Sequence, residues 1–456
     1  SQLIGDVVRE IPDTYPISQS LRFEDGDNAY LLRTPTSTSS TTTLTVSLWA
    51  KLGNVSSGRN NYPQVWGVGN NSGRRTGLRI DDGALDGQLV AFSRPDGDGS
   101  YHYWKANVFI KDSDWHHYVL KIKTDAAAQD DQLRLWLDGL EVTSWEAQGT
   151  FNSSYTDIMR ASGVTYVPHA IGSDAWSPTS YEWDGYIAEV HYCDGQEYEA
   201  SDFGAFDGDG LWYPITPSVT YGTAGYHLDF SNSSSLGEDQ TTNGNDFTTV
   251  SGVASTDVVI DTPTNQFAVL DANSKSVVTL SEGNLKVVCG TTDNGQVFGT
   301  FGPQTGKWYW EVLVDTNKRG VYGYADSDDL NRTGFQIGAS STTLHRLEDG
   351  TQISVTGDVV AGNVLGFAFD FDTKSFTVYQ NGASLTTGSW SNIEDLYPFF
   401  RDNSGAAFTT TVNFGQDSTF VGSKSPASNA DGNGYGEFQY APPTGFLALC
   451  ENNLIQ

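Results

Sequence analysis

The sequence predicts an all-β protein made of two tandem antiparallel jelly-roll-like β-sandwiches. Three observations carry this reading. No stretch long enough for a stable helix shows apolar residues at i, i+3, i+4 and i+7. Short alternating runs bounded by Gly, Asn, Asp and Ser recur throughout, as in LTVSLWAKL (44–52), HHYVLKIK (116–123) and VLGFAFDFD (364–372). Two similar hairpins, LRLWLDGLEV (133–142) and FTVYQNGASL (376–385), fall one in each half, each turning on Asp-Gly or Asn-Gly, which favour the φ > 0 of tight turns.

In chain order, residues 1–17 precede the first recognisable strand and are read as an arm and candidate anchor. Residues 18–250 form the first sandwich, 251–272 a polar linker, 273–450 the second sandwich and 451–456 a tail. Within the second sandwich, KWYWEVLV (307–314) alternates with period two. Trp308, Trp310, Val312 and Val314 share one apolar face, and Tyr309, Glu311 and Leu313 share a mixed one. The pattern suits a strand lying on a core, where large aromatics bury most of their area.

The chain has 456 residues with 56 acidic against 25 basic side chains, a net charge of −31. Such a field repels phosphate backbones and anionic membrane surfaces. No apolar run approaches the roughly 18 residues needed to span a bilayer. Cys193, Cys289 and Cys450 are scattered, without CxxC spacing, which argues for free thiols rather than disulfides or zinc. The N-terminal stretch lacks the basic and apolar regions of a signal peptide.

Candidate chemistry is sparse. Glu182 and Asp184 share a strand face but Glu189 has the opposite parity, so a glycosidase carboxylate pair lacks its spacing. His116 and His117 are adjacent and point to opposite faces, which prevents joint chelation. GTFGPQTG (299–306) lacks the lysine of a phosphate-binding loop. No cofactor is required on this reading. Calcium is the more plausible ion, because RPDGDGSY (94–101), FDGDGLWY (206–213) and ADSDDLN (325–331) cluster hard oxygen donors; Asp96 and Asp98 are the first choice. For a sugar, SYHYWKAN (100–107) offers Tyr101, Tyr103 and Trp104 as stacking surfaces, with Tyr101 and Tyr103 on one strand face and His102 and Trp104 on the other.

SLRFEDGDNAYL (20–31), LTVSLWAKL, DWHHYVLKI (114–122), LRLWLDGLEV, EWDGYIAEVHYCDG (182–195) and GYHLDF (225–230) occur in that order and together resemble the laminin-G/concanavalin A-like lectin superfamily. GKWYWEVLV, GDVVAGNVLGFAFDFDTKSFTVYQNG (357–382) and LYPFFRDNSGAAFTTTVNFG (396–415) resemble the SPRY domain. That resemblance implies a binding face built from loops at one rim, where Arg332, Arg401 and Asn403 would recognise acidic or polar groups. The tandem, with Thr262–Asn265 between the domains and PPTGFLALCENNL (442–454) at the end, resembles virion structural proteins of tailed phages of the marine or cyanophage type. It implies a non-enzymatic tail fibre or receptor-binding protein on the particle surface, assembled in the host cytoplasm. Its partners would be other virion proteins, a host-surface glycan or protein, and further copies of itself, a trimer by analogy with fibres. A capsid decoration or purely structural tail protein, and a polysaccharide depolymerase, are the alternatives.

Overall fold

The computed structural model describes residues 15–455 except 54–61, 71–73, 82–86, 96–97, 154–155, 160–165, 291–294, 316–319, 327–331, 339–340, 393 and 403–406. The described residues are all-β and fall into two compact units, 15–264 and 265–455.

In the first unit two sheets enclose one core. The first sheet runs Leu140–Glu141, Leu133–Leu137, Trp115–Lys123, Thr43–Leu52, Gly185–Asp194, Ser20–Phe23 and Val258–Val259, with Tyr226–Leu228 added beside Gly185–Asp194. The second runs Trp145–Ala147, His102–Phe109, Gln88–Arg94, Arg75–Asp81, Gln64–Gly69, His169–Ile171, Tyr30–Arg33 and Thr249–Ser251. Trp66, Trp104 and Trp183 are fully buried between them with Leu48, Leu78 and Ile187. Strand Gly185–Asp194 carries a bulge. Ala188 faces Trp49 and His191 faces Ser47, so Glu189 and Val190 together stand opposite one residue, and Glu189 takes φ 49°.

The second unit has a longer sheet ordered Val278–Ser281, Lys286–Cys289, Phe408–Asn413, Lys307–Val314, Val364–Asp370, Ser375–Gln380 and Ala383–Ser389. Its partner sheet runs Gln296–Phe298, Leu396–Asp402, Gly320–Asp326, Arg332–Ile337, Leu344–Glu348 and Thr351–Val355. Trp310 lies between the sheets, stacked on Phe367 at 4.4 Å and touching Tyr324 and Phe400. The mixed face of this strand is also covered. Tyr309 packs on Phe438 at 5.1 Å, Leu447–Ala448 pairs in parallel with Trp308 and Tyr309, and Glu311 is fully buried. Both hairpins turn as expected, with positive φ at Asp138 and Gly139 and at Asn381 and Gly382.

The stretch 251–272 is not a free linker. Val258–Val259 pairs with Ser20–Leu21. Asp261 is fully buried and accepts hydrogen bonds from Lys51 Nζ (2.8 Å) and Trp115 Nε1 (2.9 Å). Beyond residue 264 the chain joins the other unit, where the Ala268 N–H donates to Leu449 O. The expected tail at 451–456 begins with a helical turn, Glu451–Leu454, anchored by the Glu451 N–H donating to Gln266 O. In both places polar composition reflects buried hydrogen-bond partners rather than solvation.

Candidate functional site

The outward face of the second sheet of the first unit gathers aromatic rings around two arginines. On strand Arg75–Asp81, Leu78 and Ile80 point into the core, so Arg75, Gly77, Arg79 and Asp81 point outward. Register places Phe92 opposite Gly77 and Tyr103 opposite Phe92. Gly77 is required by close approach: a Cβ there would sit 2.9 Å from Gln64 Oε1 and 3.1 Å from the Phe92 ring.

The guanidinium of Arg79 lies 4.3 Å from the Tyr62 ring centroid, 4.9 Å from Phe92 and 5.6 Å from Tyr103. Arg75 lies 4.7 Å from Trp176, 4.9 Å from Tyr181 and 5.7 Å from Phe92. Rings and cations therefore alternate along the face, an attraction driven by the ring quadrupole. Arg79 Nε donates to Asp81 Oδ1 at 2.6 Å, and Arg75 pairs with the buried Asp174. Both cations are held in place by planar contacts on each side, which pre-organises their remaining donors.

Tyr101 and Tyr103 stack at 5.8 Å on this same face, half-buried, with Arg94 5.3 Å from the Tyr101 ring. Arg75 Nη1 donates to the Tyr101 hydroxyl at 3.4 Å. Burial pushes the Tyr103 phenol above its ordinary value. Trp104 points the other way. It is fully buried, 5.0 Å from Phe151, and offers a ligand no surface, which corrects its assignment as a binding residue. The reason is strand parity: its cross-strand partner Ala91 belongs to the core. Arg75 and Arg79 were missed by the sequence reading, and Phe92, itself buried, is the floor on which they lie. Their signal was the alternation RTGLRID, charged at every second or fourth position.

The Asp-Gly loops do other work. The Asp98 carboxylate accepts from the Ser100 N–H and bonds His102 Nε2, both at 2.9 Å. The His102 bond holds it below the usual carboxylate range. Asp96 lies outside the described residues. Asp207 Oδ1 accepts the N–H groups of Asp209 and Leu211, shaping the turn. In ADSDDLN, 327–331 are likewise outside the described residues.

In the second unit Arg332 stands opposite Ala325 and Arg401 opposite Val321, so both flank one face of the same strand. That face is floored by Phe298, Leu347 and Phe399. Burial, and then the charge of Arg401, lower the pKa of Arg332. Asn403 lies outside the described residues.

Ser47 and His117 form the one Ser–His contact that resembles a nucleophile and its base among the described residues, at 2.8 Å. Trp212 Nε1 donates to His117 Nδ1 at 3.0 Å. Indole is only a donor, so the neutral imidazole carries its proton on Nε2 and donates to the serine. Burial pushes this histidine down to about 3. The pair therefore has no basic nitrogen aimed at the hydroxyl, as a nucleophile needs.

Residues 25–196 match the sequence family described as the concanavalin A-like lectin/glucanases superfamily (Laminin_G_3). No curated protein matches the chain. Among solved structures, the chain is similar to the SPRY domain of human HERC1 (15% identity, 31% of this chain and 96% of that one, TM-score 0.27). It is similar to the TRIM65 PSpry domain (20% identity, 32% and 92%, TM-score 0.27). It is also similar to mouse laminin alpha1 chain domains LG4-5 (11% identity, 90% and 92%, TM-score 0.32). By its sequence, the segment 25–196 is thus similar to the concanavalin A-like lectin/glucanase superfamily, and it holds Tyr101, Tyr103 and the two stacked arginines.

Proposed function

We propose that this protein is a non-enzymatic binding protein of a tailed-phage virion, a tail fibre or tail-associated receptor-binding protein that recognises a host-surface glycan. The observation that carries the binding reading is the outward Tyr101–Tyr103 pair beside Arg75, Arg79 and Arg94. Glycan recognition uses ring faces for the apolar side of a sugar and fixed planar donors for its hydroxyls or carboxylates. Arg75 and Arg79 are buried and paired with Asp174 and Asp81, so the partly exposed Arg94 beside Tyr101 is the cation that would favour an acidic sugar. The virion placement rests on the order of sequence pieces that resemble phage structural proteins. Several copies per particle, a trimer in a fibre, turn weak single contacts into stable adsorption.

The test is binding of purified protein to intact host cells and to their extracted surface polysaccharide. Saturable binding is expected, with Tyr101→Ala plus Tyr103→Ala weakening it by about tenfold or more, the range for central aromatic contacts. Chelator is expected to change little, because the Asp98 carboxylate is already engaged by Ser100 and His102. No binding at multivalent concentration would transfer the protein to a decoration or scaffold role, and new reducing sugar would mark a depolymerase.

A further inference from the structure

We infer that the first unit carries a binding site for one divalent transition-metal ion, zinc by its donor set, formed by Glu189, His191 and His227. One ligand atom from each side chain lies within 4.8 Å of the other two. His227 Nε2 is 2.8 Å from Glu189 Oε2, and His191 Nε2 is 3.4 Å from the same oxygen. Ligands about 2.0–2.2 Å from a tetrahedral zinc stand roughly 3.3 Å apart, so these two contacts already approximate edges of a coordination shell.

Three features of the backbone build the cluster. His191 and His227 are direct cross-strand partners. The bulge in Gly185–Asp194 shifts the parity set by Ile187, so that Val190 and Tyr192 take the core face and Glu189 and His191, two apart, share the other. Glu189 holds the left-handed conformation, φ 49°, which side chains other than glycine rarely adopt. Such strain concentrates at functional positions.

The surroundings are those of a ligand shell. Glu189 and His191 are buried and His227 is partly open, so the ion has a route in. His191 Nδ1 is 2.9 Å from the Tyr221 hydroxyl, a partner for the nitrogen that does not ligate. Tyr15 donates to Glu189 Oε2 at 2.8 Å. A cavity of about 10 Å³ lies beside Glu189 and His191, room for about one water as a further ligand. The imidazoles stack at 4.2 Å and 18°. Binding tilts them so that both Nε2 lone pairs converge. The Nε2 proton between His227 and Glu189 gives way to the ion, as the imidazole takes the tautomer protonated on Nδ1.

Full-length protein, stripped with chelator, is titrated with Co²⁺ and Zn²⁺. One equivalent of Co²⁺ is expected to give intense visible absorption bands that Zn²⁺ abolishes, and Zn²⁺ to raise the melting temperature while Mg²⁺ does not. His227→Ala is expected to lose both responses. Should that variant fail to fold, anomalous scattering at the zinc edge from crystals of the unaltered protein locates the ion directly. Absent cobalt bands, an ion found elsewhere, or an unchanged response in a folded His227→Ala overturns the site.

Discussion

Two strand glutamates, one in each sandwich, meet burial and end in opposite states. Glu311 follows a tryptophan in the second unit and Glu189 follows an alanine in the first, and each precedes a valine. Burial is the largest influence on both and pushes both carboxyls up. Glu311 accepts the N–H groups of Gln439 and Tyr440 at 2.8 Å and the hydroxyl of Tyr309 at 3.1 Å. These neutral donors do not offset burial, and it rests at about 7. Glu189 contacts His191, His227 and Tyr15, and the histidines draw it well below the carboxylate range. The lesson is that partner chemistry, more than depth, decides whether a buried carboxyl keeps its charge.

The largest expected effect breaks the two units apart by pH. His117 and His169 are pushed down to about 3, and His191 to about 4, all first by burial. A histidine whose folded pKa is depressed contributes stability above its unfolded pKa of 6.5, and loses it as pH falls towards the folded value. Acidification from pH 7 to 5 is therefore expected to destabilise the first unit by on the order of 2 kcal/mol per buried histidine. The second unit should move the other way. Glu311 has a raised folded pKa, so its contribution is full below 4.5 and is lost as pH rises through about 7. Hydrogen exchange on the full chain, read separately for each unit, measures both slopes. Parallel slopes would sink the comparison.

Glu311→Gln sharpens it. The variant should flatten the pH dependence of the second unit between 4.5 and 7, removing a change on the order of 3 kcal/mol, and leave the first unit untouched. A slope that survives would place the titration on another group. The smallest effects come from matched hydroxyl deletions. Tyr15→Phe and Tyr309→Phe each remove one donor to their glutamate and should cost about 1 kcal/mol. Each should also raise its carboxyl's pKa, visible by NMR titration of the carboxyl carbons.

KWYWEV shows how far the sequence carried. Alternation correctly put Trp310 in the core, yet it left Tyr309 and Glu311 on a mixed face. The cover for that face, residues 437–440, is remote in sequence and turn-rich, so no local pattern announced it. In SYHYWKAN the same rule paired Tyr101 with Tyr103 but did not say which pair was wet. The sheet's position in the sandwich decided that, and it removed Trp104 from the site. The Glu189 cluster was invisible for a different reason. Alternation already set Glu189 and His191 on one face, but His227 joins them only through its cross-strand pairing with His191, a register between segments 36 residues apart that no local pattern gives.

Each sandwich is sewn shut by its own two ends. Ser20–Phe23 pairs with Val258–Val259 in one, and Phe267 bridges Cys450 in the other. On a ribosome, this delays completion. Neither hydrophobic core can be sealed until the last strand of its unit has emerged, and meanwhile long apolar strands stand without their covers. The interval exposes nascent edges to pairing between neighbouring chains, a hazard that grows when many copies are made together. A strong mutual repulsion from the net charge of −31 offers such chains protection before folding has finished.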